Sequence, residues 1–277
     1  MIKIAIGIIT CNRQELFRRC MDTLPAADYV HIIVDGKPYE DENVYGNRVS
    51  DINFHMRNMG VAKSKNEALT IMMRTGAEHL FLCEDDIAFN NPDVTKMYID
   101  SAMSSGVYHL NFGYHGPANK NAAGEPNPRM RVMMEDGHGI VLNRNIVGAF
   151  SYYHRSLLEK VGFMDERFLN AWEHVDHTYR IIKQGYHPPF WWFADSDEGS
   201  KYIIDQDATL EQSVIRRKGW LWKWRFRRST KYFIKKYGLE PHDIPEVDPE
   251  TALDMTRDLC NSHGRSKIDS IKLFEHV

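Results

Sequence analysis

The stretch HLFLCEDD, residues 79–86, places three acidic residues directly after an apolar run. The apolar part is typical of a buried strand, and side chains two residues apart in a strand point the same way. Glu84 and Asp86 can therefore direct two carboxylates at one point, with Asp85 directed elsewhere. Close carboxylates repel one another unless a cation or protons compensate them. Mg²⁺ and Mn²⁺ prefer oxygen ligands and commonly bridge phosphates, so the stretch predicts a metal site, with a solvated turn as the alternative.

Apolar runs alternate with helical patterns on both sides of this stretch. Helices are predicted at 14–23 and 62–74, where apolar residues recur at helical spacing, and a third begins at Pro92. Strands are predicted at 2–9, 30–34, 79–83, 108–112 and 140–142. Strands that alternate with helices at this spacing predict βαβ units, a mostly parallel sheet and an α/β fold class.

Polar residues end three of these predicted strands. They are the segments 10–13 (TCNR), 35–36 (DG) and 84–86 (EDD). Ligands of open α/β sheets bind beyond the carboxyl ends of the strands. We therefore expect all three segments at one edge of the sheet, facing one crevice. Residues 114–137 carry several glycines and prolines and few apolar positions, which predicts a long loop.

Composition excludes several classes of protein. The chain has 277 residues, 43% of them hydrophobic, and a net charge of −3, so no whole-molecule attraction to nucleic acid or membrane is expected. Its four cysteines are scattered without paired spacing, which favours a reducing compartment. The first residues alternate as in a strand and lack a signal-peptide pattern, and no apolar stretch approaches the ~18 residues of a membrane span. We therefore expect a cytoplasmic protein, at most peripheral to a membrane and not secreted.

Five segments in the same order resemble the family 2 glycosyltransferases, whose nucleotide-sugar-binding fold is called A-type. They are IGIITCNRQELFRRCMDTL (6–24), VDG (34–36), NMGVAKSKNEAL (58–69), LCEDDI (82–87) and GAFSYYHRSLLEKVGFMDERFLNAWEHVDHTYRIIKQGY (148–186). The resemblance runs to about residue 187. It implies a Rossmann-like A-type domain over 1–200, with a donor half (1–113) and an acceptor half (139–200). Residues 201–277 would then form a helical C-terminal extension.

The resemblance also implies roles for residues of the donor half. Asp86 matches the residue that is the family's main ligand of the metal ion, which is Mn²⁺ or Mg²⁺. Glu84 matches a residue that supports this ligand, often through water. Asp35 matches the aspartate that binds uracil or ribose. The other residues that match donor-binding positions are Thr10, Arg13, Asn58, Lys65 (in place of the family's arginine) and Asp85.

The general base is where this chain departs from the family. The family's motif has Glu-Asp, whereas this chain has Glu173-His174, followed by Asp176. A histidine can act as a base because its unperturbed pKa of ~6.5 lies near working pH. Glu173 or Asp176 could instead be the base, with His174 orienting the acceptor. Trp172 resembles the aromatic residue that often contacts the acceptor sugar.

A further metal ligand or phosphate contact often follows this helix in the family. His187, Asp195 and Asp197 are the residues of this chain that could supply it. The run 195–199 corresponds to a frequent lid position in this fold, so a mobile loop is expected there.

Taken together, the resemblance implies inverting transfer of a hexosyl or pentosyl group from a nucleotide-sugar, a UDP-sugar in the leading hypothesis, to an acceptor hydroxyl. The alternative is a nucleotide- or glycan-binding module whose catalytic centre has decayed, which the His174 substitution favours. A nucleotidyltransferase shares the fold and the acidic metal site. No glycine-rich, basic phosphate loop follows the first strand to support that third possibility.

A basic aromatic segment occupies residues 216–237. It contains ten Lys and Arg residues, seven aromatic residues and no acid. Large residues alternate with cations over 220–227, a period of two that predicts one apolar and one cationic face. The segment could rest on an anionic membrane, follow a nucleic-acid backbone, bind an acidic glycan or be a solvated arm. The acceptor accordingly stays open between a glycan, a lipid-linked glycan and a modified base of DNA.

Overall fold

The computed structural model describes residues 3–169, 171–206 and 219–274, so Ile2 and residues 216–218 of the predicted elements lie outside the described residues. The strands are β1 (Ile4–Thr10), β2 (Tyr29–Val34), β3 (Asp51–Phe54), β4 (His79–Glu84), β5 (Ile87–Phe89), β6 (His109–Asn111), β7 (Met130–Met134), β8 (Gly139–Asn143), β9 (Phe150–His154), β10 (Phe193–Ser196), β11 (Ile203–Asp205) and β12 (Ile268–Leu273). The helices are α1 (Gln14–Thr23), α2 (Val61–Arg74), α3 (Val94–Ser105), α4 (Arg155–Val161), α5 (Glu173–Lys183), α6 (Gly199–Tyr202), α7 (Gly219–Tyr237) and α8 (Pro249–His263).

A six-stranded sheet with the order β3-β2-β1-β4-β9-β6 forms the centre of the protein. The strands β3, β2, β1 and β4 are parallel, and β9 is antiparallel to both of its neighbours. The α/β fold class with a mostly parallel sheet is thereby confirmed. In the register of the sheet, Thr10 pairs with Val34 and Ile9 pairs with Glu84. The three polar strand ends therefore lie level at one edge, as predicted.

Helices cover both faces of this sheet, which explains why β1 is apolar throughout. Ile6 and Ile8 belong to one core cluster together with Phe17 of α1. Ala5 and Ile9, on the other face, belong to a second cluster with the buried side of α2. Gly7 lets α2 come close, because a Cβ at this position would lie 2.9 Å from the Cβ of Ala68.

A second, four-stranded sheet has the order β10-β8-β7-β12. Its strand β7 lies within the predicted loop 114–137, so that prediction is wrong for residues 130–134. Met130, Val132 and Met134 are buried while the residues between them are half-buried, the alternation of a strand. The lid loop expected at 195–199 is also wrong at both ends of the run, where Asp195 and Ser196 belong to β10 and Gly199 begins α6.

The basic aromatic segment is helical over its described part, Gly219–Tyr237. The predicted period of two is therefore wrong, since neighbours on a helix surface are three or four residues apart. Ser229 and Phe233 are the fully buried residues of the helix. Among the helices within 3–169, 171–206 and 219–274, none has the length and apolar character needed to cross a bilayer.

Candidate active site

A cleft of about 450 Å³ lies at the carboxyl edge of the central sheet. The side formed by the strand ends is lined by Arg13, Asp35, Asn58, Glu84 and Asp86, all singled out from the sequence. Its opposite side is lined by the beginning of α5, with Trp172, Glu173 and His174. The fold thus brings together residues from both ends of the sequence resemblance.

Asp85 and Thr10 lie behind the cleft wall, where they hold Arg13, although the resemblance implies donor contacts for both. The Asp85 carboxylate is fully buried and pairs with the Arg13 guanidinium. Thr10 Oγ1 donates a hydrogen bond of 2.6 Å to Asp85 Oδ2 and lies 2.5 Å from the Tyr39 hydroxyl. Burial raises the pKa of Asp85 to about 7, although Arg13 acts in the opposite direction. Asp85 and Thr10 thus fix the position of the positively charged Arg13 side chain at the cleft.

Asp86 offers a free oxygen to the cleft. Its Oδ2 accepts a hydrogen bond of 2.7 Å from Arg13. Its Oδ1 is buried and has no hydrogen-bond partner among the described residues. A buried acceptor without a partner is costly unless a ligand satisfies it. Asp86 therefore has one carboxylate oxygen ready for a ligand.

Lys65 lies beneath the cleft and joins its two sides. It is 1% exposed, and its ammonium group donates to the carbonyl of Gly148 at 2.8 Å. The same ammonium lies 2.6 Å from Glu84 Oε1 and 3.9 Å from Glu173 Oε1. Burial lowers the pKa of Lys65, but the two carboxylates outweigh it and the net pKa is raised. The charged lysine thus compensates both acids, whereas the resemblance implies a donor-binding position.

Asp35 fixes the loop that follows β3 while still lining the cleft. Its carboxylate accepts from the backbone N–H of Met59 at 2.6 Å and of Gly60 at 3.2 Å. His55 Nδ1 lies 2.9 Å from Asp35 Oδ1, and its other ring nitrogen lies 2.7 Å from Glu67. Burial lowers the pKa of His55, but these two carboxylates raise it by more. His55 is therefore a bridge between two acids, Asp35 at the end of β2 and Glu67 of α2.

Glu173 and His174 form a hydrogen-bonded pair at the first turn of α5. The distance from His174 Nδ1 to Glu173 Oε1 is 3.0 Å. Burial raises the pKa of Glu173, but His174 and Lys65 outweigh it and bring that pKa to about 2. Glu173 is therefore ionised at neutral pH. Its Oε2 has no partner among the described residues and is available to a ligand.

Asp176 does not line the cleft, although the sequence includes it among the possible bases. It is fully buried, and the ammonium of Lys236 and the hydroxyl of Tyr237 donate to its Oδ1 at 2.5 and 2.7 Å. Arg180 Nε donates to Oδ2 at 3.2 Å. Asp176 thus anchors the C-terminal end of α7 to α5.

The three residues considered for a further metal contact also lie outside the cleft lining. Asp195 is buried and accepts from the Tyr98 hydroxyl at 2.6 Å. Both ring nitrogens of His187 are engaged with backbone groups, and burial lowers its pKa to about 4. Asp197 pairs with Arg131. The polar groups of all three are thus engaged away from the cleft.

His115 is a cleft residue that the sequence did not single out. It lines the cleft, and its Nδ1 lies 2.9 Å from Asp205 Oδ1. Burial lowers the pKa of His115, but Asp205 and the nearby Asp86 raise it by more. The signal in the sequence that includes it is the long loop predicted over residues 114–137, because loops of that length in a compact domain are often functional or disordered.

An aromatic wall closes the cleft on the side of α7. Trp222 and Phe226, one turn apart, line the cleft and stack with ring centroids 5.2 Å apart. The Phe226 ring also lies 5.3 Å from that of Trp172, whose Nε1 donates to Thr230 at 2.9 Å. Arg225 of the same helix reaches Asn58, on the side of the cleft formed by the strand ends. Such a wall suits the apolar face of a sugar or a base.

The residues at the strand end fit a divalent cation that is completed by its substrate. Within the described parts of the chain, no group of three or more His, Cys, Asp or Glu residues is arranged to hold a metal by itself. Mg²⁺, however, is usually bound through one or two carboxylates together with substrate phosphates. Asp86 has a free buried oxygen, and Glu84 lines the same cleft. This donor set suits an ion that arrives with a diphosphate.

Comparison with known proteins finds similar folds at low identity. No family model and no curated protein matches the chain. The similar solved structures include mannosyltransferase PcManGT from Pyrobaculum calidifontis in complex with GDP-Man and Mn²⁺ (12% identity, 59% of this chain and 48% of that chain, TM-score 0.40). They also include GalNAc-T7 with UDP, GalNAc and Mn²⁺ (12%, 94% and 55%, TM-score 0.49) and mannose-1-phosphate geranyltransferase from Thermus thermophilus (10%, 65% and 64%, TM-score 0.36). The chain thus spans less than two-thirds of the length of each of these structures.

Proposed function

We propose that this protein is a glycosyltransferase of the A-type fold that transfers a sugar from a UDP-sugar to an acceptor hydroxyl with inversion. The observation that carries the proposal is the shared cleft in which the acidic strand end meets the Glu173–His174 pair. The order of the five family 2 segments along the chain supports the same assignment.

The donor is proposed to bind along the carboxyl edge of β1, β2 and β4. Asp35 lies at the end of β2, where the family binds uridine, and Arg13 presents a guanidinium beside Asp86. A guanidinium at this place suits the phosphates, because its planar donors match phosphate oxygens. Thr10 and Asp85 then act by holding Arg13, and Lys65 acts by compensating Glu84 and the acceptor-side Glu173.

Asp86, supported by Glu84, is proposed to hold a Mn²⁺ or Mg²⁺ ion. When bound, the ion supplies electrostatic stabilisation to the charge that builds on the leaving diphosphate.

His174 is proposed as the general base and Glu173 as the residue that orients it. With Nδ1 paired to Glu173, the ring has its Nε2 left to accept the proton of the acceptor hydroxyl. Glu173 itself is a weak base, because its pKa of about 2 lies far below working pH. The third possibility, Asp176, is enclosed by Lys236, Tyr237 and Arg180 and has no oxygen directed at the cleft.

A decayed nucleotide- or glycan-binding module is the second candidate function. The observation that favours it is the histidine at the position of the family's catalytic carboxylate. The two functions differ in one measurable way, since a module binds the nucleotide but never consumes a sugar donor.

A thermal-shift screen tests the proposal. Nucleoside diphosphates and UDP-sugars are added with Mn²⁺, without Mn²⁺ and with a chelator. A ligand at about a hundred times its Kd raises the free energy of unfolding by about 2.7 kcal/mol. We expect UDP with Mn²⁺ to raise the melting temperature by more than the sum of the two separate shifts.

Donor consumption then decides between the two functions. A transferase is expected to release UDP from a UDP-sugar, and Asp86→Ala is expected to abolish that release. In the wild type, chelation should stop the release and only added metal should restore it. Stabilisation by UDP with no consumption of any donor would support the binding module. Full activity in excess chelator would refute the metal role, and equal stabilisation in Asp35→Ala would refute the nucleotide site.

A further inference from the structure

The outward side of α7 carries a continuous row of cations. Lys223, Arg227, Lys231 and Lys235 are all exposed and recur at every fourth residue. Because residues four apart are neighbours on a helix surface and each residue rises 1.5 Å, these cations follow one another in steps of about 6 Å. An adjoining row consists of Trp220, Trp224 and Arg228, also exposed. We call these seven residues the outer face of α7.

The charge of the outer face is not compensated within the described part of the protein. The helix contains no acidic residue. None of the five cations of the outer face forms an ion pair with a described carboxylate, whereas Lys236, on the inward side, pairs with Asp165 and Asp176. A cluster of cations of this kind attracts an anionic surface.

Two tryptophans lie among these cations. Trp220 is 75% exposed and Trp224 is 50% exposed, although the inward side of the same helix buries Phe233 completely. Single exposed apolar residues are common, but two large indoles one turn apart beside a row of cations are not explained by packing within the described part of the protein. Tryptophan is enriched at the interface between membrane and water, where its ring lies at the level of the headgroups.

The shape of the outer face distinguishes between anionic partners. Proteins that bind single-stranded nucleic acid combine a positively charged groove with aromatic residues that stack on bases. The outer face of α7 is instead the convex side of a single helix, which can lie along a planar surface over its whole length. Polybasic helices with tryptophan are typical of contact with anionic lipid headgroups.

We propose that the outer face of α7 docks this protein on an anionic lipid bilayer. The five cations lie against the headgroups, and the two tryptophans enter the interface. The opposite side of the helix provides Trp222 and Phe226 to the cleft. Docking therefore places α7 between the bilayer and the cleft, which then lies one helix diameter, about 10 Å, from the membrane surface and from an acceptor carried by a lipid.

Vesicle co-sedimentation tests this proposal without donor, acceptor or activity, so its outcome is independent of the proposed transferase function. Phosphatidylcholine vesicles with and without phosphatidylserine are compared at rising salt. We expect binding only with phosphatidylserine, weakened by salt. Near an anionic membrane each basic residue changes the partition constant about fivefold, so Lys223→Gln/Arg227→Gln/Lys231→Gln is expected to bind roughly 100-fold more weakly.

The matched control removes three exposed cations elsewhere, in Arg19→Gln/Lys160→Gln/Lys267→Gln, and is expected to bind nearly as the wild type. Equal loss in the two triple variants would reduce the effect to net charge and overturn the proposal. Wild-type binding that does not depend on phosphatidylserine would overturn it as well. Tighter binding to an oligonucleotide than to vesicles, lost in the α7 variant alone, would assign the outer face to nucleic acid instead.

Discussion

Replacing Asp176 by asparagine separates the role of a base from that of an anchor. The carboxylate is fully buried and receives Lys236 and Tyr237 on one oxygen and Arg180 on the other. Asparagine keeps the shape but removes the charge, and it turns one acceptor oxygen into an NH₂ group that faces a donor. We therefore expect Asp176→Asn to loosen the contact between α5 and α7 without altering the cleft lining.

The expected loss of stability depends on which other polar contacts the partners of Asp176 keep in the variant. Removing one member of a buried ion pair costs about 3–5 kcal/mol. Lys236 keeps Asp165 at 3.0 Å, and Arg180 keeps hydrogen bonds to the carbonyls of Val161 and Phe163, so the cost is expected at the lower end, about 3 kcal/mol. For a chain of this size 1 kcal/mol corresponds to roughly 2–4 °C. The melting temperature is thus expected to fall by about 6–12 °C.

The assay pairs a melting curve without ligands with the initial rate of transfer well below the melting temperature. We expect Asp176→Asn to melt early yet to keep its rate within a few-fold of the wild type. Asp254→Asn, at a side chain that is 65% exposed, is the matched control and is expected to change neither. An unchanged melting temperature with a rate lowered by two orders of magnitude or more would make Asp176 the base and refute the assignment to His174.

Three further predictions concern His174, Lys65 and a pair of buried histidines. His174→Asn is expected to lower the rate of transfer by about 10²–10⁴, the usual contribution of a general base, with little change in melting temperature. Lys65→Met is expected to lower the free energy of unfolding in urea by about 3–5 kcal/mol, because the buried Glu173 and the largely covered Glu84 lose the charge that compensates them. Lys63→Met, on the exposed side of α2, is expected to be nearly neutral. The pKa values of His177 and His187 fall from 6.5 to about 3 and about 4 on burial. The unfolded chain therefore binds more protons than the folded chain below about pH 6.5. The free energy of unfolding, measured in urea, should decrease by up to about 3 kcal/mol per histidine as the pH falls to 4. A constant free energy of unfolding over this range would contradict neutral buried imidazole rings.

The first part of the fold, up to β4, is largely predictable from the sequence, because its signals are local. The helix α1 begins and ends at the predicted residues, and the ends of β1, β2 and β4 carry polar segments that mark the cleft. The strand β9 was missed for a different reason. It inserts between β4 and β6 in the opposite direction, and its sequence, FSYYH, lacks the plain apolar run of its neighbours. This strand forms because it pairs with strands that are distant in the sequence, and not because of the β-propensity of its own residues.

The positions of side chains within the site also depend on segments that are distant in the sequence. A pattern identified Arg13, Asp86 and Glu173 as site residues, since each lies at the end of a recognisable element. It did not reveal that Lys65 lies under the cleft, because that position depends on partners supplied by β4 and α5. The enclosure of Asp176 was equally invisible, since two of its partners come from α7 near the other end of the chain. Residue types were predictable, but pairings between distant segments were not.

These pairings change the argument for a metal at the acidic strand end. From the sequence alone, three adjacent carboxylates called for a cation or protons to offset their repulsion. The fold itself supplies two, since Lys65 pairs with Glu84 and Arg13 pairs with Asp85 and Asp86. The repulsion is therefore relieved before any ion binds, and what is left for an ion is chiefly the free oxygen of Asp86. One carboxylate oxygen gives weak affinity, whereas the same oxygen together with a diphosphate gives a usual Mg²⁺ environment. Metal and donor should accordingly bind as a pair, each raising the affinity for the other by the same factor.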